Sequence, residues 1–119
     1  QDEVLSTVES PQYNWDAIHE GMKEVINSPL NETNYLNFYD CAVTVAGKTG
    51  TAQKGEGIKN DGLFICYAPY EDPEIAVAVV VERGHAGASV GFIARQIVDV
   101  YLNIRSYSNT SESEMSLLK

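Results

Sequence analysis

The sequence is short of basic residues, of cysteine and of long apolar stretches. Among its 119 residues, 8 Lys and Arg stand against 17 Asp and Glu, a formal net charge of −9. A protein that grips a nucleic-acid backbone by releasing counterions needs clustered cations, so the composition argues against nucleic acid as a partner. The longest apolar run, Ile75 to Val81, is far below the roughly 20 residues that a membrane-spanning helix needs. No basic-then-apolar leader opens the chain, and Gln1 in place of Met is expected of a piece processed or excised from something longer. Only Cys41 and Cys66 are present. With no Cys pair at two-residue spacing and no His-Glu-x-x-His, no metal is expected, and no cofactor.

What is present suffices for one domain. Apolar residues make up 44% of the chain, enough to bury a core of modest size. The charge is unevenly placed: residues 1–40 carry −7, residues 41–60 carry +2, residues 61–84 carry −4 and residues 85–119 are balanced. One short basic island in an acidic chain is the first place to look for an anion site.

Residues 4–8 read as a short extended segment. Ser10-Pro11 marks a helix start, with Ser as cap and Pro at the first helical position, and Trp15, Ile18, Met22, Val25 and Ile26 form one apolar stripe. The helix should end near Asn27-Ser28-Pro29. Residues 30–40 read as a polar loop anchored by Tyr35, Phe38 and Tyr39. Strands are expected over residues 43–51, 63–67 and 75–81, the last covered on both faces because its apolar run does not alternate. After the loop Gly84-His85-Ala86-Gly87-Ala88, Ser89 should cap a last helix with Val90, Ile93, Ala94, Ile97, Val98 and Tyr101 on its stripe. The fold class is α+β: a three-stranded antiparallel sheet joined by hairpins and flanked by an N-terminal and a C-terminal helix. Residues 1–104 form the folded part, and residues 105–119 are expected to be a disordered polar tail.

The island contains Gly47-Lys48-Thr49-Gly50-Thr51-Ala52-Gln53. A phosphate-cradling loop would need Gly where Ala42 stands and a helix starting at Lys-Thr, whereas Gly50, Gly55 and Gly57 follow. The extended reading is favoured. Thr49 and Thr51 then share one face, and two hydroxyls beside an ammonium make a carboxylate-binding strip. Gly50 leaves room for another backbone. Lys48 alternates away from Thr49, so its ammonium must come round the strand edge.

Lys48-Thr49-Gly50 is the third signature of the serine penicillin-recognising enzymes, and Lys48-Thr49-Gly50-Thr51-Ala52-Gln53 resembles the class B penicillin-binding proteins. Phe64 to Pro69 and Pro73 to Glu82 resemble the next two strands of that family, the latter most closely in elongation-type, penicillin-binding protein 2-like transpeptidases. Glu20 to Asn27 resembles the helix before the signature strand. The match covers residues 3–102 in family order. The resemblance implies a partial β-lactamase/transpeptidase-like fold and a bacterial source. It also implies acyl transfer, in which a Ser attacks the penultimate D-Ala of a peptidoglycan stem peptide and forms an acyl-enzyme that a β-lactam would also form. Carried over, Lys48 supplies positive potential and joins the proton relay. Thr49 and Thr51 bind the substrate carboxylate, Gly50 completes the substrate-binding strip, and the Thr51 amide is one oxyanion donor.

In the family, Ser-x-x-Lys and Ser-x-Asn precede Lys-Thr-Gly; before Lys48 this sequence has neither. Tyr107-Ser108-Asn109 and Ser116-Leu117-Leu118-Lys119 follow it, in reverse order, and read as chance. The chain is therefore expected to be inactive alone, the C-terminal piece of a transpeptidase domain whose parent is anchored at the extracytoplasmic face of the bacterial membrane. The alternative is a non-catalytic module that binds a peptide carboxylate or a partner protein. In the family the strand at 75–81 pairs with one from upstream, so its edge is expected to recruit a second copy.

The remaining candidates have plainer readings. On a straight strand, Cys41 and Cys66 would lie roughly 23 Å apart at about 3.3 Å per residue, beyond the reach of a disulfide at about 7 Å, so two reduced thiols are preferred. His85 reads as a solvated loop residue near the site mouth, and His19 as a helix residue beside Glu20. Asp61 and Glu82 flank strands with nothing to bring them together as an acid and base. Asn31-Glu32-Thr33 and Asn109-Thr110-Ser111 match the glycosylation pattern and are expected to be bare. Trp15, Tyr35, Phe38 and Tyr39 read as packing anchors.

Overall fold

The computed structural model describes residues 3–103. Residues 105–119, with both late Ser motifs and Asn109, lie outside the described residues. In chain order come α1 (Gln12–Asn27), α2 (Glu32–Phe38), β1 (Ala46–Ala52), β2 (Asp61–Ala68) and β3 (Ile75–Val81). A 3-10 turn (Gly87–Val90) then leads into α3, residues 91–103. The strands form one antiparallel sheet in the order β1-β2-β3. This is the α+β arrangement expected, with one more helix.

The pairing register sorts the side chains onto two faces. Gly47–Cys66–Val77, Thr49–Phe64–Val79 and Thr51–Gly62–Val81 lie across one face. Phe64, Cys66, Val77 and Val79 are buried there in one cluster with Val90, Ala94, Val98 and Leu102. Lys48–Ile65–Ala78 and Gly50–Leu63–Val80 lie across the other. Ile65 is 49% and Val80 65% exposed, so β3 alternates between covered and open positions. The expectation of cover on both faces fails among the described residues.

The segment 30–40 is the second correction, because α2 replaces the loop. Seven mostly polar residues carry little helical signal, yet the helix docks by two side chains. Phe38 stacks on Phe64 with ring centroids 5.7 Å apart, and the buried Asn34 donates through Nδ2 to Val25 O at 3.2 Å. Arg95 of α3 secures the same corner, donating to Asn37 O at 2.8 Å and Asp40 Oδ1 at 2.7 Å while its Nε reaches Asp99. That arrangement pushes the Asp40 carboxyl below its ordinary range.

The helix starts also differ. Ser10 makes no cap to a backbone amide: Pro11 occupies the N-cap position, and Ser10 Oγ accepts from Asn14 Nδ2 at 2.9 Å. Ser89 lies inside the 3-10 turn, whose N-cap is Ala86. Of the α1 stripe only Ile26 is fully buried, and Ile18 is exposed. Residues 4–8 carry no regular structure and are exposed. β1 begins at Ala46, because residues 43–45 approach the sheet from the core, where Asn27 Nδ2 donates to Val45 O at 2.8 Å.

Both cysteines are free, although not for the reason given by a straight strand. Cys41 packs against the core cluster that contains Cys66. Burial first, and the neighbouring Cys41 second, push the Cys66 thiol up to about 11.

Candidate functional site

The residues singled out from the sequence occupy consecutive positions on β1, which among the described residues is an edge strand paired only with β2. Lys48 and Thr49 therefore stand mid-strand, and no helix opens at them, which removes the phosphate-loop reading. β1 can come close to β2 because Gly47 has no side chain. A Cβ there would stand 2.5 Å from Ile65 O and 3.1 Å from Ile26 Cδ1.

Thr49 and Thr51 share the face of Phe64 and Gly62, while Lys48 shares the other face with Ile65. The Lys48 stem folds back along its own strand, and Nζ donates to Thr49 O at 2.8 Å. The ammonium is thus carried from the open face to the strand backbone beside Thr49. Thr51 Oγ1 accepts from Gly87 N–H at 3.4 Å, a long bond that spans 36 positions of sequence.

Gly87 is the residue that sequence reading missed. It stood in a Gly-rich loop with no motif, and only the fold brings it to Thr51. The backbone that comes close to Gly50 is that of Gly87: a Cβ on Gly87 would lie 2.6 Å from Gly50 N and closer still to Gly50 O and Leu63 O.

The basic island is partly neutralised. Lys54 Nζ meets Asp61 Oδ2 at 2.7 Å, and Arg83 N–H donates to Asp61 Oδ1 at 2.9 Å. These two bonds, Lys54 first, hold the Asp61 carboxyl below its ordinary range and engage it as an anchor for the β1–β2 hairpin. Lys48 is left as the cation of the strip. His85 sits at the Thr51 end of the sheet, where its N–H donates to Asn60 O at 3.1 Å. His19 packs edge-on against Tyr67, whose ladder partner Ala46 lies at the opposite end of β1 from Thr51.

The family model for the penicillin-binding protein transpeptidase domain matches residues 1–99. The chain belongs to the penicillin-binding transpeptidases. Among curated relatives, a peptidoglycan D,D-transpeptidase MrdA of Haemophilus influenzae is 37% identical over 106 residues, covering 76% of this chain and 16% of the relative. The chain thus spans about a sixth of the length of that relative. Among solved structures, Pseudomonas aeruginosa PBP2 in complex with WCK 5153 aligns with a TM-score of 0.70 and 33% identity over 81% of this chain and 21% of that one. Penicillin-binding protein A of M. tuberculosis, as an imipenem acyl-enzyme complex, aligns with a TM-score of 0.61 and 30% identity over 79% and 20%. Family, fold and PBP2-like character agree with the resemblance read from the four segments Glu20 to Asn27, Lys48 to Gln53, Phe64 to Pro69 and Pro73 to Glu82, the last of which carried the PBP2-like character.

Proposed function

We propose that this chain supplies the carboxylate-binding strand of a serine-type peptidoglycan D,D-transpeptidase. The observation that carries the reading is the edge strand with Thr49 and Thr51 on one face and the Lys48 ammonium drawn to the strand backbone. In an antiparallel ladder a residue turns both backbone groups to the same side, and successive residues alternate. The parity that leaves Thr49 O open to Lys48 therefore also turns the Thr51 N–H to the free edge of β1, where an oxyanion donor belongs.

The reaction is acyl transfer: a Ser hydroxyl attacks the carbonyl of the penultimate D-Ala, the terminal D-Ala leaves, and an acyl-enzyme forms. Lys48 adds positive potential and joins the proton relay, while Thr49 and Thr51 donate to the substrate carboxylate. The Ser nucleophile is not in this sequence ahead of Lys48, so the chain alone is inactive. The whole enzyme works at the extracytoplasmic face of the bacterial membrane; no helix among the described residues is long and apolar enough to cross it.

Self-association follows from the same incompleteness. The free edge of β3 and the open face, with a groove of about 320 Å³ bordered by Met22, Ile65, Tyr67 and Ala78, can pair with a second copy. Sedimentation should show a dimer or larger species, and a strictly monomeric profile would remove this part. The central test is labelling by a fluorescent penicillin: the isolated chain should stay unlabelled while a full-length protein containing it is acylated. Stable labelling of the isolated chain would defeat the reading.

A further inference from the structure

We infer that Gly87 is a positioning residue for the Thr51 hydroxyl, a role that rests on the reading of β1 as a carboxylate strip. After β3 the chain turns through Arg83 and His85, both with positive φ, 56° and 68°. For residues with side chains this is a costly backbone, kept only where the surroundings enforce it. The enforcing bonds are on each side: Arg83 N–H to Asp61 Oδ1 and His85 N–H to Asn60 O. The turn delivers Gly87 onto the Gly50–Leu63 pair, where it is buried. The atoms that a Cβ would strike there belong to the backbones of two paired strands, which cannot move aside as a side-chain tip can.

The chemical consequence concerns the direction of one proton. A threonine hydroxyl has one proton to give and two lone pairs to receive. With the Gly87 N–H aimed at Oγ1 from the core side, a rotor position that points the hydroxyl proton inward sets two protons against each other. The proton is left to point outward, where Thr51 is exposed and a ligand carboxylate would accept it. Thr51 is thereby fixed as a donor before ligand arrives, which lowers the ordering cost of binding.

NMR on the 119-residue chain tests this in two arms. In the first, the Gly87 amide proton should move upfield in Thr51→Val, which keeps the shape and removes the oxygen, and hold its place in Thr51→Ser. In the second, N-acetyl-D-alanine should shift the Thr49 to Thr51 amides of the wild type. Gly87→Ala should weaken that binding by up to about tenfold, whereas Val90→Ala, which loosens the same turn without touching Oγ1, should stay within about twofold of wild type. A Gly87 amide indifferent to Thr51→Val overturns the inference, as does Gly87→Ala binding as tightly as wild type. If the wild type shows no shifts on titration, the carboxylate reading of β1 fails, and the first arm still decides whether Gly87 holds Thr51.

Discussion

Phe64 is where the sheet, α2 and the start of α3 meet, and replacing it tests whether this packing supports the candidate site. The side chain is fully buried and lies nearly parallel to the Phe38 ring, at an angle of 8°. Its other edge faces Gly91, where a Cβ would lie 3.2 Å from the ring. A buried aromatic hides roughly 150–250 Å². At about 25 cal/mol/Å² that is about 4–6 kcal/mol, an upper bound because the unfolded chain already hides some of it. Gly91 has no side chain to fill the space, so the cavity left by Phe64→Ala collapses poorly. The expected cost is about 4 kcal/mol, within the usual range for Phe→Ala of about 3–5 kcal/mol. Against a total of about 5–15 kcal/mol for a domain, that is a large share. Phe38→Ala should cost about 3 kcal/mol, and the double variant should lose about 0.5–1.5 kcal/mol less than the two singles together, because the stacked pair is lost only once. Urea denaturation followed by far-UV circular dichroism gives each value. If Phe64→Ala fails to fold, Phe64→Leu should still cost about 1–2 kcal/mol. A Phe64→Ala cost below about 2 kcal/mol, or strict additivity with Phe38→Ala, would refute the reasoning.

Two further predictions turn on pH and accessibility. With its thiol at about 11, Cys66 is only about 0.1% thiolate at pH 8, against about a quarter for an ordinary thiol, so iodoacetamide should label Cys66 at least about a hundredfold more slowly in the folded chain than in the urea-unfolded one. Peptide mapping by mass spectrometry reads the Cys66 rate in each state, and equal rates would contradict the burial. Because the folded value is raised, the stability that the protonated Cys66 contributes is complete below the ordinary thiol value of about 8.5 and is lost as pH rises towards 11. Asp61 has the opposite sign: its folded value is lowered by Lys54 and Arg83 N–H, so its contribution is present above about pH 3.9 and lost as pH falls through the folded value. Asp61→Asn should lower stability at neutral pH and flatten the acid limb of the curve measured from pH 7 to pH 2. An acid limb identical to that of wild type would count against the anchor role.

How much of this was legible in the sequence depended on how far apart the interacting residues lie. Lys48 to Gln53 could be read because its chemistry is local: alternation alone places two hydroxyls on one side of a strand. The Thr51–Gly87 bond could not be read, since it joins residues on two segments that β2 and β3 separate, and nothing about Gly87 in isolation distinguishes it from Gly84. α2 was hidden for another reason, because Asn34 and Phe38 are its buried residues and two residues four apart set no period, while the Arg95 bond to Asn37 O comes from 58 positions away. β3 is the instructive failure. Its sequence, Ile75 to Val81, is that of a strand covered on both faces, yet Ala76, Ala78 and Val80 face outward in this chain. A strand that serves with one face in water ordinarily carries polar residues there, and apolar faces left open mark contacts with something else. The apolar run was therefore read correctly as chemistry and wrongly as geometry. Among the described residues that face stays open, and the self-association proposed above assigns its cover to a second copy.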